Sequence, residues 1–263
     1  MKKYFDSYHN RLVYYGQSAN PEYWDQHWKT DDYHKAIKNK RNTIIVKTTK
    51  AYLPIGARVV DGGCGLGDKV YSLYNHGFEA YGVDFAKDTV KIIQTYAPEI
   101  HVSVGDVRQL DYPDNFFDGY WSLGVIEHFY DGFGDIVNEM YRVIRPGGFL
   151  FLTVPEMSVF RQYLAKKGKY PDMSCLKSEQ SLFYQFAYPP NFVKNEIKQH
   201  GFKFLKYRPM EGVKGFKDES IKLKPFFQWI YNHPSLPIKA VKRALDIIMS
   251  PLTGHTGIYI FKK

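Results

Sequence analysis

The stretch Val59-Val60-Asp61-Gly62-Gly63-Cys64-Gly65-Leu66-Gly67 decides the fold of this 263-residue chain. Its two β-branched valines predict the end of a buried strand. The acid and the glycines that follow predict a tight turn at which the backbone can approach a ligand closely. The dinucleotide pattern G-x-G-x-x-G would need a third glycine at position 68, which is Asp68. The turn therefore indicates a nucleotide-like ligand, and its spacing argues against a nicotinamide oxidoreductase.

Strand and helix patterns alternate on the carboxyl side of this turn. Short apolar runs predict strands at 78–83, 101–104, 117–122, 149–154, 202–207 and 258–261. Apolar residues at helical spacing predict helices at 69–75, 88–96, 136–144 and 192–201. Because β and α elements alternate, the pattern predicts an α/β fold, in which a parallel sheet has helices on both faces.

Acidic residues end or follow the next two strands, and longer motifs follow them. Asp84 ends the second strand, where an ionised carboxylate offers two acceptor oxygens to ribose hydroxyls. Asp106-Val107 follows the third strand, and Asp118–His128 contains the fourth. Tyr141–Gly148 forms a helix end and a turn before the fifth. With the glycine turn, these motifs resemble the class I S-adenosylmethionine-dependent methyltransferases over residues 55–155, in the type 11-like branch that acts on small molecules.

This resemblance implies a complete fold and a cofactor. The fold would be a seven-stranded doubly wound sheet with six parallel strands and an antiparallel last strand. S-adenosylmethionine would lie across the carboxyl ends of the strands, and S-adenosylhomocysteine would be the product. In the family, the glycine turn approaches the methionine portion, while the next two acids meet the ribose and the adenine amino group. The cofactor-binding residues expected in this chain are Asp61, Gly63, Cys64, Gly65, Asp84, Phe85, Asp106, Val107, Leu123 and Gly124.

His128 is the candidate catalytic base. Methyl transfer from a sulfonium is an in-line displacement that disperses charge, so most of the acceleration can come from positioning the acceptor in a dry pocket. A base is needed only where the acceptor must lose a proton. A histidine pKa suits that work near neutral pH, and His128 follows the fourth strand. The alternative is that Glu127 and His128 are structural and support the loop and the cofactor site.

The sequence at and after the fourth strand limits the class of molecule that can accept the methyl group. Methylases of exocyclic amino groups on nucleic-acid bases usually carry an Asn/Asp/Ser-Pro-Pro-aromatic run at the fourth strand, whereas this chain has Ser122-Leu123-Gly124-Val125. The Glu127-His128-Phe129 form resembles the branch that acts on small molecules, lipids, quinones and sugars. We therefore expect methyl transfer to an oxygen or nitrogen of a small molecule or of a carrier-linked sugar or lipid. An RNA methyltransferase and a non-catalytic S-adenosylmethionine-binding protein are the alternatives.

The predicted domain organisation has a cap and a methyltransferase domain. Residues 1–54 are expected to form an N-terminal helical cap on a domain at 55–263, with irregular insertions at about 156–188 and 212–254. In the cap, Glu22–Trp28 resembles the aromatic helix that covers the cofactor pocket in the family. Trp24 and Tyr15 are therefore candidates for contact with cofactor or acceptor. The alternative is that these aromatic residues only dock the helix.

The second insertion contains a basic amphipathic segment at 235–252. Its apolar residues recur at helical spacing, and lysines and an arginine lie between them: Ile238, Val241, Leu245, Ile248 and Leu252, with Lys239, Lys242 and Arg243. Such a helix either packs on its own domain as a lid or lies on an anionic membrane surface.

Composition and residue spacing limit the partners, the cellular location and the kinds of site that the chain can have. The net charge of +9 permits an anionic partner without naming one. Cys64 and Cys175 are the two cysteines, and Cys64 lies in the glycine turn, so a structural disulfide is not expected and a cytoplasmic location is favoured. No signal peptide is predicted, and no apolar run approaches the roughly 20 residues that span a bilayer. No cysteine or histidine spacing is typical of a metal site, so no metal is expected.

Overall fold

Ten strands and eleven α-helices make up the described part of the chain, which is residues 1–38, 43–175 and 180–263 of a computed structural model. In chain order the strands are β1 (Lys2–Asp6), β2 (Arg11–Tyr15), β3 (Arg58–Gly62), β4 (Glu79–Asp84), β5 (His101–Val104), β6 (Phe117–Leu123), β7 (Ile144–Pro155), β8 (Phe183–Ala187), β9 (Lys203–Met210) and β10 (Thr256–Lys262). The helices are α1 (Pro21–His27), α2 (Tyr33–Lys38), α3 (Thr43–Tyr52), α4 (Asp68–Tyr74), α5 (Lys87–Tyr96), α6 (Gly134–Val143), α7 (Val159–Lys166), α8 (Pro190–Gln199), α9 (Gly212–Glu219), α10 (Lys224–Asn232) and α11 (Leu236–Thr253). Short 3-10 helices lie at Ile126–His128, Met173–Cys175 and Gln180–Leu182. In these ranges no helix is both long and apolar enough to cross a bilayer.

Seven strands form one sheet in the order β5-β4-β3-β6-β7-β10-β9. β3 pairs in parallel with β4 and β6, and β4 pairs in parallel with β5. Val59 and Val60 of β3 are fully buried, as expected for a strand covered on both faces. The chain adds strands outward from β3 to β5 and then places β6 on the other side of β3, so the strand order reverses between β3 and β6. At such a reversal the connections diverge and leave room for a ligand. The predicted seven-stranded doubly wound sheet is confirmed.

The predicted elements of this sheet are present, with some ends shifted. β5 has the predicted bounds, whereas β7 begins at Ile144, well before the predicted start at Phe149. α6 ends at Val143 because Ile144 already has an extended backbone. Gly147, expected in a turn, lies inside β7, where its N–H donates to the carbonyl of Lys263 at 2.9 Å. That pairing joins distant parts of the sequence and has no local signal.

Contacts divide the chain into two compact units. Unit 1 comprises Met1–Gln17, Thr153–Asn195 and Lys206–Tyr259, and unit 2 comprises Ser18–Leu152, Glu196–Leu205 and Ile260–Lys263. In the core of unit 2, Trp121 of β6 stacks on Phe151 with ring centroids 4.6 Å apart. The Trp121 Nε1–H donates to Thr49 Oγ1 at 3.0 Å. This buried hydrogen bond satisfies the indole N–H and attaches α3 to the sheet.

Unit 1 contains an antiparallel three-stranded sheet in the order β1-β2-β8. Leu12 of β2 pairs with Ala187 of β8, and both side chains are buried. The prediction of helix for this N-terminal segment is therefore wrong for residues 2–15. Their aromatic and β-branched side chains favour strand, and pairing with the distant β8 buries β2. The boundaries predicted for the cap and the methyltransferase domain stay a prediction, and residues 39–42 of the cap lie outside the described residues.

Three helices occupy the second predicted insertion. α9 and α11 approach so closely that a Cβ on Gly215 would lie 1.8 Å from the carbonyl oxygen of Thr253. Thr253 Oγ1 donates to the carbonyl of Gly212 at 2.8 Å. The prediction of an irregular segment is wrong here, whereas the helix predicted at 235–252 is confirmed by α11. The first insertion holds α7 and β8, and residues 176–179 of it lie outside the described residues.

Candidate functional site

A cavity of about 250 Å³ lies where β3, β4 and β6 end, at the reversal of strand order. Its walls include eight of the eleven residues predicted to bind the cofactor or act as base: Gly63, Asp84, Phe85, Asp106, Val107, Leu123, Gly124 and His128. The other lining residues are Ala19, Trp24, Trp28, Gly105, Arg108, Val125 and Phe129. All of them belong to unit 2. Three further predicted residues, Asp61, Cys64 and Gly65, do not line the cavity.

Asp84 is a buried carboxylate at the end of β4. Its Oδ2 accepts a hydrogen bond from the N–H of Gly65 at 2.8 Å, and its Oδ1 accepts one from the N–H of Ala86 at 3.0 Å. Burial raises the pKa of Asp84, while these backbone hydrogen bonds favour the ionised form. Each oxygen keeps a second lone pair, so the ionised carboxylate can still accept hydrogen bonds from a vicinal diol.

Asp106 lies after β5 and is paired with an arginine. Arg108 donates from Nη2 to Oδ2 at 2.6 Å and from Nε to Oδ1 at 3.0 Å. The hydrogen bonds from Arg108 hold the pKa of Asp106 below its usual value. The Arg108 guanidinium also lies over the ring of Phe129, 5.6 Å from its centroid. Arg108 and Phe129 were not among the site residues predicted from the sequence. The two-residue spacing between Asp106 and Arg108 could have indicated Arg108.

The glycine turn is packed closely by two side chains. Gly63 and Gly65 have φ values of +82° and +52°, which glycine adopts without strain. A Cβ on Gly63 would lie 2.5 Å from Val125 Cγ2, and a Cβ on Gly65 would lie 2.6 Å from Trp28 Cζ2. Glycine at these positions therefore permits both the turn and the approach of Val125 and Trp28.

Asp61 and Cys64 are buried beside this turn. Neither carboxylate oxygen of Asp61 has a hydrogen-bond partner within the described ranges. Burial raises the pKa of Asp61 to about 7, with Lys69 opposing the shift. The Cys64 thiol lies against β4, since a Cβ on Gly82 would be 2.9 Å from its Sγ. Contact of Asp61 and Cys64 with a cofactor stays a prediction.

Helix α1 places two tryptophans on the cavity. Asn20 caps the helix, because its side chain accepts from the N–H of Tyr23 at 2.8 Å. Pro21 occupies the first turn, where a missing N–H costs nothing. Trp24 and Trp28 are four residues apart and share a face, and their rings stack with centroids 5.9 Å apart. Trp24 thus lies at the pocket as predicted, and Trp28 joins it.

Tyr15, the second aromatic candidate, lies on β2 in unit 1. Its ring packs edge-on against Tyr4 and Phe183, with centroids 6.1 and 6.0 Å away. It is not among the residues that line the cavity. The reason is the hairpin of residues 2–15, which replaces the expected helix.

The 3-10 helix at Ile126–His128 carries the candidate base and its acidic neighbour. His128 lines the cavity, and its ring meets the ring of Trp24 edge-on with centroids 5.2 Å apart. Glu127 is buried behind the wall, and burial raises its pKa to about 8. Its Oε2 has no hydrogen-bond partner in the described part of the chain. His128 therefore faces the cavity, whereas Glu127 is not among the lining residues, and the role of His128 as base stays a prediction.

Residues 60–152 match the model of a family described as a methyltransferase domain. This segment contains the glycine turn, both acids of the cavity and His128. The match begins within β3, includes β4, β5 and β6, and ends within β7. No cluster of three or more His, Cys, Asp or Glu that could hold a metal ion occurs in the ranges described above.

Curated relatives match over shorter stretches than their own length. A "Probable S-adenosylmethionine-dependent methyltransferase" from Mycolicibacterium smegmatis is 28% identical over 116 residues, which is 44% of this chain and 45% of the relative. The 2-methyl-6-phytyl-1,4-hydroquinone methyltransferase of Synechocystis is 33% identical over 102 residues, 37% of this chain and 32% of the relative. A tRNA (carboxymethyluridine(34)-5-O)-methyltransferase of Arabidopsis thaliana is 33% identical over 104 residues, 39% of this chain and 25% of the relative. The chain thus spans less than half the length of each.

Solved structures share the fold. An S-adenosylmethionine-dependent methyltransferase from Mesorhizobium loti matches with a TM-score of 0.54 at 15% identity, covering 82% of this chain and 96% of that chain. At this identity the likeness concerns the fold alone. With the family match, it confirms the resemblance to class I methyltransferases drawn from the motifs, whereas the small-molecule acceptor stays a prediction. Residues 60–152 form a methyltransferase domain on a class I methyltransferase fold.

Proposed function

We propose that this protein transfers a methyl group from S-adenosylmethionine to an oxygen or nitrogen atom of a small molecule, or of a sugar or lipid on a larger carrier. The observation that carries the proposal is the cavity, which brings Asp84, Asp106 and His128 together inside the matched methyltransferase domain. The relative named for S-adenosylmethionine supports the donor, and the relative named for a hydroquinone supports the acceptor class.

The residues at the cavity fit this methyl donor. Asp84 keeps acceptor capacity for two ribose hydroxyls, and Asp106 offers a carboxylate to an adenine amino group. Asp61 does not line the cavity, but its carboxylate is buried beside the glycine turn without a hydrogen-bond partner in the described ranges, and an ammonium group that reached it would satisfy it. When bound, S-adenosylmethionine supplies a methyl group activated on a sulfonium.

The protein contributes positioning and exclusion of water. Trp24, Trp28 and Phe129 form apolar walls that keep water from the reacting atoms. Aromatic faces also favour a cationic group beside them. When the acceptor atom has an available lone pair, holding it in line with the methyl group supplies most of the rate acceleration. Where the acceptor is a hydroxyl or a protonated amine, His128 takes its proton.

RNA is the second candidate acceptor. The net charge of +9 favours it, as does the relative named as a tRNA methyltransferase. The run Ser122–Val125 argues against methylation of an exocyclic base amino group but leaves other RNA positions open. Binding to RNA phosphates by lysine and arginine would weaken steeply with added salt, which separates this candidate from a small acceptor.

Calorimetry with S-adenosylhomocysteine and NAD tests the cofactor site. We expect S-adenosylhomocysteine to bind and NAD not to bind. Asp84→Asn should weaken binding at least about tenfold, because it removes one charged acceptor from a buried site. Asp111→Asn changes an exposed acid outside the cavity and is the matched control. Binding of NAD, or equal affinities in both variants, would contradict the assigned site.

Transfer of labelled methyl groups from S-adenosylmethionine into fractionated lysate tests the reaction. Label in a fraction of small molecules or lipids supports the proposal. Label that becomes soluble after ribonuclease treatment supports RNA instead. Tight S-adenosylhomocysteine binding with no labelled product in any fraction would indicate a protein that binds the cofactor without catalysis.

His128→Ala tests the proton transfer. We expect turnover to fall by about 10²-fold or more, while S-adenosylhomocysteine affinity stays near that of the parent. Turnover near that of the parent at all pH values would make His128 a structural residue.

A further inference from the structure

Helix α11 exposes an apolar face. Its inner face packs on α9, where Ser250 and Thr253 are buried. On the outer face, Leu236, Ile247 and Ile248 are 80%, 70% and 72% exposed. Large aliphatic side chains this exposed in one helix mark a surface that has a partner.

The exposed residues of α11 form one continuous arc. At 3.6 residues per turn, the large apolar side chains lie within about 160° of the helix circumference. They are Leu236, Val241, Ile247, Ile248 and Leu252. Lys239 and Arg243 are exposed along one edge of this arc. The acid of the helix, Asp246, turns inward and accepts from the N–H of Val213 at 2.9 Å.

Helix α10 and the turn before it repeat this chemistry. Phe226 and Trp229, three residues apart, are 56% and 51% exposed. Ile221 and Leu223 precede them and are exposed as well. α10 lies beside α11, since Lys242 of α11 places its ammonium over the ring of Tyr231, 4.4 Å from the centroid. Both helices belong to unit 1.

The charge of this region is predominantly positive. Residues 221–252 hold five lysines and arginines and one acid, Asp246, whose side chain accepts from the Val213 N–H. Apolar side chains bordered by cations suit an interface that is apolar inside and anionic at its surface, which describes an anionic lipid bilayer. A second copy of the chain fits poorly, because it would bring its own five cations against these. Trp229 adds an amphipathic ring of the kind found at the headgroup level.

We propose that the α10–α11 surface, formed by the exposed side chains of residues 221–252, docks on an anionic lipid bilayer. The apolar arc of α11 enters the boundary between headgroups and acyl chains, and the basic residues contact the headgroups. The proposal goes beyond methyl transfer and does not depend on it, since binding to vesicles needs neither cofactor nor acceptor.

Vesicle co-sedimentation of the full chain tests this surface. The probes are vesicles of phosphatidylcholine alone and of phosphatidylcholine mixed with phosphatidylglycerol. We expect binding to the mixed vesicles, weakened by salt, and little binding to phosphatidylcholine alone. The double variant I247D/I248D should lose on the order of tenfold or more in apparent affinity, because it places charges in the apolar arc. Ile44→Asp, at an exposed apolar site on α3 of unit 2, is the matched control and should bind like the parent.

Two further measurements separate the components of binding. K239Q/R243Q should reduce binding to the mixed vesicles and flatten its salt dependence. Tryptophan emission should shift to the blue on binding, and the shift should shrink in Trp229→Phe. Circular dichroism and thermal unfolding confirm that each variant folds.

Three outcomes would overturn the proposal. One is absence of binding to the mixed vesicles by the folded parent. Another is I247D/I248D binding as well as the parent does. The third is a parent whose mass in solution rises with concentration while that of I247D/I248D does not, because the surface would then be covered by a second copy.

Discussion

Asp25 of α1 accepts two hydrogen bonds from Thr89 of α5 on a single oxygen. The Thr89 N–H donates to Asp25 Oδ1 at 2.9 Å, and the Thr89 Oγ donates to the same oxygen at 2.8 Å. The first N–H groups of a helix have no partner within it, and Ala86 at the cap position of α5 has no side chain that could accept. Asp25 therefore caps α5 from another helix, and the same bonds hold α1 beside the cavity.

We expect Asp25→Ala to loosen α1 and weaken the binding of S-adenosylhomocysteine. Loss of a cap costs about 0.5–2 kcal/mol, so affinity should fall by up to about thirtyfold if α1 must be in place for binding. Thr89→Val removes only the hydroxyl donor and should have a smaller effect. Asp88→Ala removes an exposed acid from the same turn and serves as the control. Calorimetry that finds equal affinities for D25A and D88A would show that α1 is not needed for binding.

Gly65→Ala should destabilise the protein more than Gly56→Ala does. Its positive φ costs a side chain about 1–2 kcal/mol, and the new Cβ would also clash with the ring of Trp28. Gly56→Ala imposes similar backbone strain at a position with nothing within 4 Å, so it isolates the clash. G65A should lower the midpoint of thermal unfolding more than G56A does. Adding W28A to G65A should recover part of the loss, and absence of recovery would place the cause elsewhere.

Glu127 should make the protein less stable as pH rises from about 5 to about 8. Its pKa is about 8 in the native state against an ordinary 4.5. Between these values the native state keeps the proton and the unfolded state releases it. The free energy of unfolding therefore falls with pH, by at most about 1.4 kcal/mol per pH unit from this group. Glu127→Gln stays neutral, so urea unfolding should show its advantage over the parent growing across this range. An advantage that does not change with pH would contradict the assignment.

Glu219→Gln should destabilise unit 1. Buried Glu219 accepts from Arg161 Nε at 3.0 Å, from Lys3 Nζ at 2.6 Å and from the hydroxyl of Tyr170 at 2.9 Å. Neutralising it leaves the buried Arg161 guanidinium without its carboxylate, which costs about 3–5 kcal/mol. Glu99→Gln breaks the more exposed pair with Lys38, which water screens, and should destabilise the protein much less. Urea unfolding measures both, and equal losses would mean that burial does not set the cost.

The sequence could predict the methyltransferase domain because its signals are local. Val59 and Val60 mark a buried strand, and Asp84 and Asp106 stand where strands end. Parallel strands bring such ends together whatever the distant sequence is, so most of the predicted residues reached the cavity. Cys64 did not, because a side chain inside the turn can lie on the far side of the backbone. Motif position alone does not say which side.

The rest depends on pairing between distant segments. β2 is a strand because Leu12 and its neighbours pair with β8 far along the chain. α9 is ordered because Gly215 lets it touch α11. Neither contact leaves a periodic pattern in the segment itself. The short distance from Asp106 to Arg108 was a usable local signal, but many loops carry such pairs without a ligand nearby.

The hydrogen bond from the Gly65 N–H to Asp84 gives one carboxylate two duties. The side chain that would recognise the ribose also holds the turn that would face the methionine portion. Anyone who redesigns this protein for a different nucleoside would find that residue 84 cannot be changed alone. A new residue there would have to supply the turn with an acceptor of the same reach, or the turn would need a new sequence. Nucleoside specificity and the structure of the turn therefore depend on the same side chain. A change of specificity would have to come from other residues that line the cavity.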